Sequence, residues 1–502
     1  MKSIMVVGTT SHAGKSLMVT VLCRLLSRRG WRVAPFKGQN MALNAYVTGT
    51  GAEIGYAQAV QSWAAGVPPQ AEMNPILLKP QGDSTSQVII KGRPAGVTTA
   101  AEYYENFFDI GWQAIQESLS RLEQEFDLLI CEGAGSPAEI NLKHRDLTNM
   151  RVATTLDAPT ILVADIDRGG VFAHIIGTLE LLAPEERALI KGFVINKFRG
   201  QRALLQSGID WLEERTGIPV IGVVPWLDGA VLPAEDSLSL MERPKVKASA
   251  ELNIAVIRLP RISNFTDFDP LEAEPSVNVR YLGPKDDLGY PDAVILPGTK
   301  TAISDLLILQ RTGMAEAIQD YAAAGGTVMG ICGGFQIMGQ MLADPEGLEG
   351  QEGRYRGLSI LPLRTVITQN KVARQRSVSS KYPQEGLPVT GYEIHQGRTQ
   401  LVVTSDGSNG QPAAPAFLPI FDDRSLGIVD ETQSVWGTYL HGIFDNGPWR
   451  RAWLNRLRKQ RGLSSLPTGI ANYRDQRDTM LNTLADSVER YIDLDVLLNQ
   501  VS

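Results

Sequence analysis

The sequence predicts an α/β protein of two consecutive domains, each organised on a mostly parallel sheet, and three features carry that prediction. Short apolar runs of strand length recur with helical stretches between them, the βα alternation that builds parallel sheets. The first such run leads into Gly14-Lys15-Ser16, the end of a phosphate-binding (P-loop) pattern. The alternation lapses near residue 233 and resumes at Asn253, and a chain of 502 residues exceeds what one core ordinarily holds. The expected spans are 1–232 for a P-loop domain, 233–252 for a linker, 253–447 for a second α/β domain and 448–502 for a helical tail.

Composition narrows the function classes. The chain is 43% hydrophobic and 21% charged, the balance of a globular protein. A net charge of −7 without any Lys/Arg cluster argues against a nucleic-acid partner. No apolar run reaches membrane-spanning length, so no membrane partner is expected. The opening Met1-Lys2-Ser3-Ile4-Met5-Val6-Val7-Gly8 turns to glycine and polar residues too early for a secretory signal. Three widely spaced cysteines, Cys23, Cys131 and Cys332, form neither a disulfide framework nor a metal-ligand pattern, which fits a reducing cytoplasm.

In the first domain Ile4 to Val7 reads as a buried strand, and Lys15 to Arg28 carries helical periodicity through Leu17, Val21, Leu22 and Leu25. Between them lies Gly8-Thr9-Thr10-Ser11-His12-Ala13-Gly14-Lys15-Ser16. A strand, a small-residue loop and a helix let backbone N–H groups wrap phosphates, with Lys15 on the terminal ones and Ser16 on Mg2+. The usual pattern has glycine five residues before Gly14; here that place is Thr9, and the glycine stands one earlier, at Gly8. Arg32 to Phe36 reads as a second strand ending at Lys37, which either touches phosphate or lies at the surface. Phe126 to Cys131 delivers Glu132-Gly133-Ala134-Gly135 to the C-terminal edge of the sheet, where open α/β sheets bind ligands. Strands at Thr160 to Val163, Gly192 to Ile195 and Val220 to Val224 complete the sheet. Polar loops after these strands, among them Gln39-Asn40-Met41-Ala42-Leu43-Asn44, either line a pocket for a large polar substrate or only shape the domain.

This variant loop resembles that of dethiobiotin synthetase and its relatives, which use ATP to activate a carboxylate-like oxygen. The resemblance implies ATP and Mg2+ as cofactors. Gly8, Thr9, Gly14, Lys15, Ser16 and Lys37 would surround the phosphates, and Ser16 and Glu132 would face the metal. Glu53 is either a further metal ligand or a solvated loop residue, and Asn196 either contacts adenine or caps a loop.

The second βα series starts at Asn253 to Arg258 and continues near Val277 to Tyr281, Ala293 to Leu296 and Gly326 to Ile331. It reaches Gly330-Ile331-Cys332-Gly333-Gly334-Phe335-Gln336, with a helix expected from Gln336 to Leu342. A cysteine on a glycine-flanked strand-to-helix turn has the layout of a nucleophile elbow. Amides around Gly298 and at Gly333 would form an oxyanion hole. A thiol nucleophile needs a base, and the five histidines reduce to His441, at a strand end in the same domain, with His395 as its rival.

Gly-Ile-Cys332-Gly-Gly-Phe-Gln with a downstream Tyr-Leu-His441-Gly resembles a class I glutamine amidotransferase domain. The glutamate usually found two residues after the histidine is replaced by Ile443, a departure similar to the cobyrinate-amidating branch, which also carries Gly391-Tyr392-Glu393-Ile394-His395. The resemblance implies Glu393 as a substitute for orienting His441, and Asp146 as a carboxylate near the reacting centre of the first domain. The two domains together resemble the cobyric acid synthase family over nearly the whole chain. The implied reaction takes nitrogen from L-glutamine and places it on the b, d, e and g carboxylates of adenosylcobyrinic acid a,c-diamide, a corrinoid. The alternatives are a cobyrinic acid a,c-diamide synthase or other amidoligase, and a nucleotide switch with an inert second domain. The tail, amphipathic from Arg474 to Leu498, is expected to pack on a neighbouring domain or on another subunit of a homo-oligomer.

Overall fold

The computed structural model describes residues 2–82, 84–227, 240, 247–349, 352–402 and 417–500. The first half is built on a six-stranded parallel sheet in the spatial order Val220–Pro225, Ile190–Phe198, Thr160–Asp165, Lys2–Gly8, Leu128–Glu132, Val33–Phe36. Its strands are apolar on both faces because helices cover both. Met5 and Val7 pack on one side with Ile115, Leu119 and Ile175, while Ile4 and Val6 face the opposite layer with Met18, Val19 and Leu22. The helix Lys15–Arg28 spans the residues that its periodicity predicts.

An element that the sequence does not announce is inserted after the second strand. Gln39–Met41, Ile76–Pro80, Thr85–Ile90 and Arg93–Thr99 form a four-stranded sheet, and Ala45–Val47 pairs with Glu53–Gly55. These strands are short, and Arg93 to Val97 lie exposed, so alternation is too weak there to separate strand from loop.

The second half carries a seven-stranded sheet in the order Val277–Leu282, Leu252–Ile257, Ala293–Leu296, Val328–Ile331, Val435–Thr438, Gly427–Asp430, Phe417–Pro419, the last two antiparallel. A second sheet is dominated by the long hairpin Leu363–Ser379 and Pro388–Leu401. The helix after Cys332 is shorter than expected: it spans Gly333–Ile337, and Met341–Asp344 is a strand paired with Leu363–Ser379. Sheet pairing outweighs the local helical pattern there.

The hairpin reaches back onto the insertion of the first half. Tyr392 and Ile394 pack with Ala42, Ala45, Val47, Leu77 and Ile89, the Tyr392 hydroxyl donates to Ala45 O at 3.2 Å, and Asn264 Nδ2 donates to the same carbonyl at 3.0 Å. Most of the expected linker, 233–252, lies outside the described residues. The tail divides its contacts: Trp449, Trp453 and Leu457 of Gly447–Gln460 enter the second core, whereas Leu481, Leu484 and Val488 of Tyr473–Glu489 pack against the first helix of the chain. Among the described residues no helix is long and apolar enough to cross a membrane.

Candidate active sites

The phosphate loop follows the central strand Lys2–Gly8. Gly14 caps the following helix with a left-handed backbone, φ 109°. A Cβ on Gly8 would stand 3.1 Å from Lys15 Nζ, so glycine at this position lets the lysine fold back over its own loop. There Nζ donates to Thr10 O at 3.0 Å and to Gly135 O at 2.7 Å, bridging the loop to the segment after Glu132. Thr9 is buried in the loop, and Asn196, for which the resemblance implies an adenine contact, donates Nδ2 to Ala13 O at 2.9 Å.

Glu132, only 1% exposed, gathers the other polar groups. Ser16 Oγ donates to its Oε1 at 2.8 Å, Lys37 Nζ approaches the same oxygen at 3.0 Å, and Gln61 Nε2 donates to Oε2 at 2.5 Å. Lys37 is therefore a buried member of the site and not a surface lysine. Burial works against charge on Glu132, but Lys37, Gln61 and Ser16 together outweigh it and hold the carboxyl below its ordinary range. Gln61, on the helix Tyr56–Ala64, is a member that no motif reveals.

Glu53 lies elsewhere. Its carboxylate, 1% exposed, is held by Lys79 Nζ at 2.6 Å and by Lys371 of the second half. Burial disfavours its charge, yet the two ammonium groups prevail and bring it down to about 2. With an ammonium on each oxygen, Glu53 forms an ionic tie between the halves. Asp146 is likewise engaged: Oδ1 accepts from the N–H groups of Thr148 at 2.9 Å and Asn149 at 2.8 Å, and Oδ2 from that of Arg151 at 3.1 Å. It thereby braces the turn that leads into the helix Met150–Leu156, whose N-cap is Asn149.

The second site centres on Cys332, whose backbone is held at φ 53°, ψ −110°, a conformation that L-residues seldom adopt. The turn is tight: a Cβ on Gly334 would come within 2.0 Å of Leu296 O. Sγ donates to Ile394 O at 3.3 Å, and Cys332 and His441 line the same small cavity, where the sulfur helps to raise the imidazole. Gly298 lies against that ring, where an added Cβ would be 3.1 Å from His441 Cε1, and Gly333 lies against Thr299.

The partner of His441 is Asp267. Its Oδ2 accepts from Nδ1 at 2.7 Å, and its Oδ1 accepts from the Gly442 N–H at 2.8 Å. Carboxylate at Nδ1 fixes the tautomer and leaves Nε2 for the sulfur. Burial resists charge on the ring, but Asp267, helped by Cys332, outweighs it and raises the imidazole to about 10. The Tyr392 ring stacks on the imidazole with centroids 5.4 Å apart.

Glu393 does not orient His441. It binds Arg374 Nε at 2.8 Å, Arg376 Nε at 3.3 Å and His395 Nε2 at 3.2 Å, so it belongs to the rival histidine. Side chains alternate across a strand, and the pairing of Glu393 with Leu440 leaves its carboxylate among the arginines of the neighbouring strand. Asp267 escapes a sequence reading because 174 residues separate it from His441. The available signal is a carboxylate between two buried aromatics, Phe265 and Phe268, in a short helical turn after the first strand of the second half.

Comparison with known proteins matches both halves. A family model described as a CobQ/CobB/MinD/ParA nucleotide binding domain covers residues 4–239, and one described as a CobB/CobQ-like glutamine amidotransferase domain covers 253–449. A protein of Nostoc sp. strain PCC 7120 named cobyric acid synthase is 72% identical over 494 residues, 98% of this chain and 99% of the relative. Its namesake from Trichormus variabilis is 72% identical over 498 residues, 99% of this chain and 100% of the relative. That of Synechococcus elongatus strain PCC 7942 is 66% identical over 498 residues, 99% of each. Matching both family models and aligning with these relatives over nearly its whole length, the chain belongs to the cobyric acid synthase family.

Proposed function

We propose that the chain moves the amide nitrogen of L-glutamine onto the b, d, e and g side-chain carboxylates of adenosylcobyrinic acid a,c-diamide, driven by ATP. One observation carries the reading: a thiol–imidazole–carboxylate array and a phosphate loop with its lysine coexist in one chain of this family. The relatives at 63–72% identity bear the same name over nearly their whole length, which favours this reaction over that of an a,c-diamide synthase.

In the second half, Cys332 Sγ attacks the side-chain carbonyl carbon of glutamine. With its imidazole raised to about 10, His441 faces the sulfur as an imidazolium whose Nε2 proton goes to the departing nitrogen, and Asp267 stabilises that imidazolium until the transfer. The C–N bond breaks to release ammonia; water then cleaves the thioester, yielding glutamate and the thiol. Backbone amides around Gly298 and at Gly333 would receive the oxyanion.

In the first half, Lys15 would exchange its carbonyl partners for phosphate oxygens of ATP. The Ser16 hydroxyl and the Glu132 carboxylate present adjacent hard oxygens and fit Mg2+, which would offset triphosphate charge when bound. Phosphorylation converts the acceptor carboxylate into an acyl donor, from which ammonia displaces phosphate to leave the amide. Exposed Met41, Ile140 and Leu142, on segments following strands that end at this edge, suit an acceptor with a broad apolar ring. A supply of ATP and glutamine places the reaction in the cytoplasm.

The test supplies the chain with ATP, Mg2+ and L-glutamine and offers each corrinoid separately. Adenosylcobyrinic acid a,c-diamide is expected to be consumed, with four ADP formed per finished product. Preferential consumption of cobyrinic acid would overturn the assignment.

A further inference from the structure

The cavity over Cys332 is lined by more charge than the thiol chemistry uses. Lys79, Lys300, Lys371 and Glu349 all border it beside Cys332 and His441. Lys79 and Lys371 are neutralised in part by Glu53, which each approaches through Nζ. The Lys300 ammonium has no hydrogen bond or ion pair within 4 Å among the described residues; only longer-range charge, chiefly from Lys371, Lys79, Glu349 and Glu53, acts on it. Glu349 accepts from the Ile303 N–H at 3.3 Å, which anchors its carboxylate at the cavity wall.

A cation and an anion facing one small cavity match the two charges of an α-amino acid. We propose that Lys300 receives the α-carboxylate and Glu349 the α-ammonium of the glutamine whose side-chain amide meets Cys332. The inference rests on the reading of Cys332 as a glutaminase nucleophile and adds the residues that select the substrate. Lys79 and Lys371, tied through Glu53, add a surplus positive field, with three lysines against two carboxylates around the cavity. Because Lys79 and Glu53 belong to the first half, the nucleotide-binding half completes the glutamine pocket. The titration of the pair agrees. Burial and the like charges of Lys371 and Lys79 bring Lys300 down to about 7, and burial pushes Glu349 up to about 7. Each group therefore gains from a substrate charge of opposite sign.

The test pairs each residue with a glutamine analogue that lacks its partner. Production of ammonia is measured from L-glutamine, from 4-aminobutanamide (no α-carboxylate) and from glutaramate (no α-amino group). Wild type is expected to prefer glutamine over either analogue by about 10- to 100-fold in kcat/KM, the worth of one charge-assisted hydrogen bond. Lys300→Met should erase the preference over 4-aminobutanamide and spare that over glutaramate; Glu349→Gln should do the reverse. Lys300→Arg should restore most of the first preference. Amidation driven by an ammonium salt, which bypasses the thiol, reports whether each variant is folded. If Lys300→Met is not, the same ratio in Lys300→Gln decides. Equal losses on all three substrates, or an undisturbed preference, would overturn the proposal. A wild type that releases ammonia from none of them would instead overturn the glutaminase reading itself.

Discussion

The two sites are assembled in opposite ways. In the first half, the loop from Gly8 to Ser16 is contiguous, and its lysine closes over it through bonds to Thr10 O and Gly135 O. In the second half, Cys332, His441 and Asp267 come from three distant segments joined only by the sheet and the turns around it. The charge logic is also reversed. A buried carboxylate, Glu132, is kept ionised by Lys37, whereas a buried imidazole, His441, is kept protonatable by Asp267. Contiguity makes a site legible in sequence. Charge pairing between remote segments makes it work, and that pairing is silent until the chain folds.

The sharpest way to break the comparison is to disable one site and supply what it makes. Cys332→Ser should lower glutamine-driven amidation by at least about 10,000-fold while ammonium salts restore it; Lys15→Met should abolish amidation from either nitrogen source. Steady-state ADP release with both donors reads this out. If ammonium also fails in Cys332→Ser, the halves are not separable in the manner described.

Next in size is the choice of carboxylate on His441. Asp267→Asn should reduce glutaminase kcat by about a thousandfold, since the wrong tautomer is then favoured at Nδ1. Glu393→Gln should stay within about tenfold of wild type, because its partners are His395 and the two arginines. The opposite ranking would restore Glu393 as the orienting residue.

The ionic tie between the halves gives a smaller, purely structural effect. Glu53→Gln leaves Lys79 and Lys371 buried beside a neutral amide and should destabilise the fold by about 3–5 kcal/mol, seen as a lower thermal midpoint. A metal-ligand role would instead raise the Mg2+ requirement with little change in melting.

The mildest test is pH. The His441 imidazole lies near 10 in the folded chain, above its ordinary value of 6.5, so the stability that it contributes is complete below pH 6.5 and fades as pH rises through 10. Wild type should therefore lose thermal stability between pH 6.5 and pH 10 more steeply than His441→Asn. Parallel curves would mean that Asp267 does not hold the proton there.

Much of this molecule is written in local pattern. Apolar runs such as Ile4 to Val7 and Ala293 to Leu296 declare themselves as buried strands because every residue faces a helix layer. The loop ending in Gly14-Lys15-Ser16 and the glycines around Cys332 are legible because tight backbone geometry admits few residue types. Packing alone settled what had no local signature. It chose Asp267 over Glu393, made Glu53 a tie to Lys371 of the second half, turned Met341–Asp344 from helix to strand, and laid the tail helix Tyr473–Glu489 on the first domain. A carboxylate's sequence neighbourhood does not reveal which cation it will meet, because that meeting depends on which strand lies beside it and which face its side chain takes.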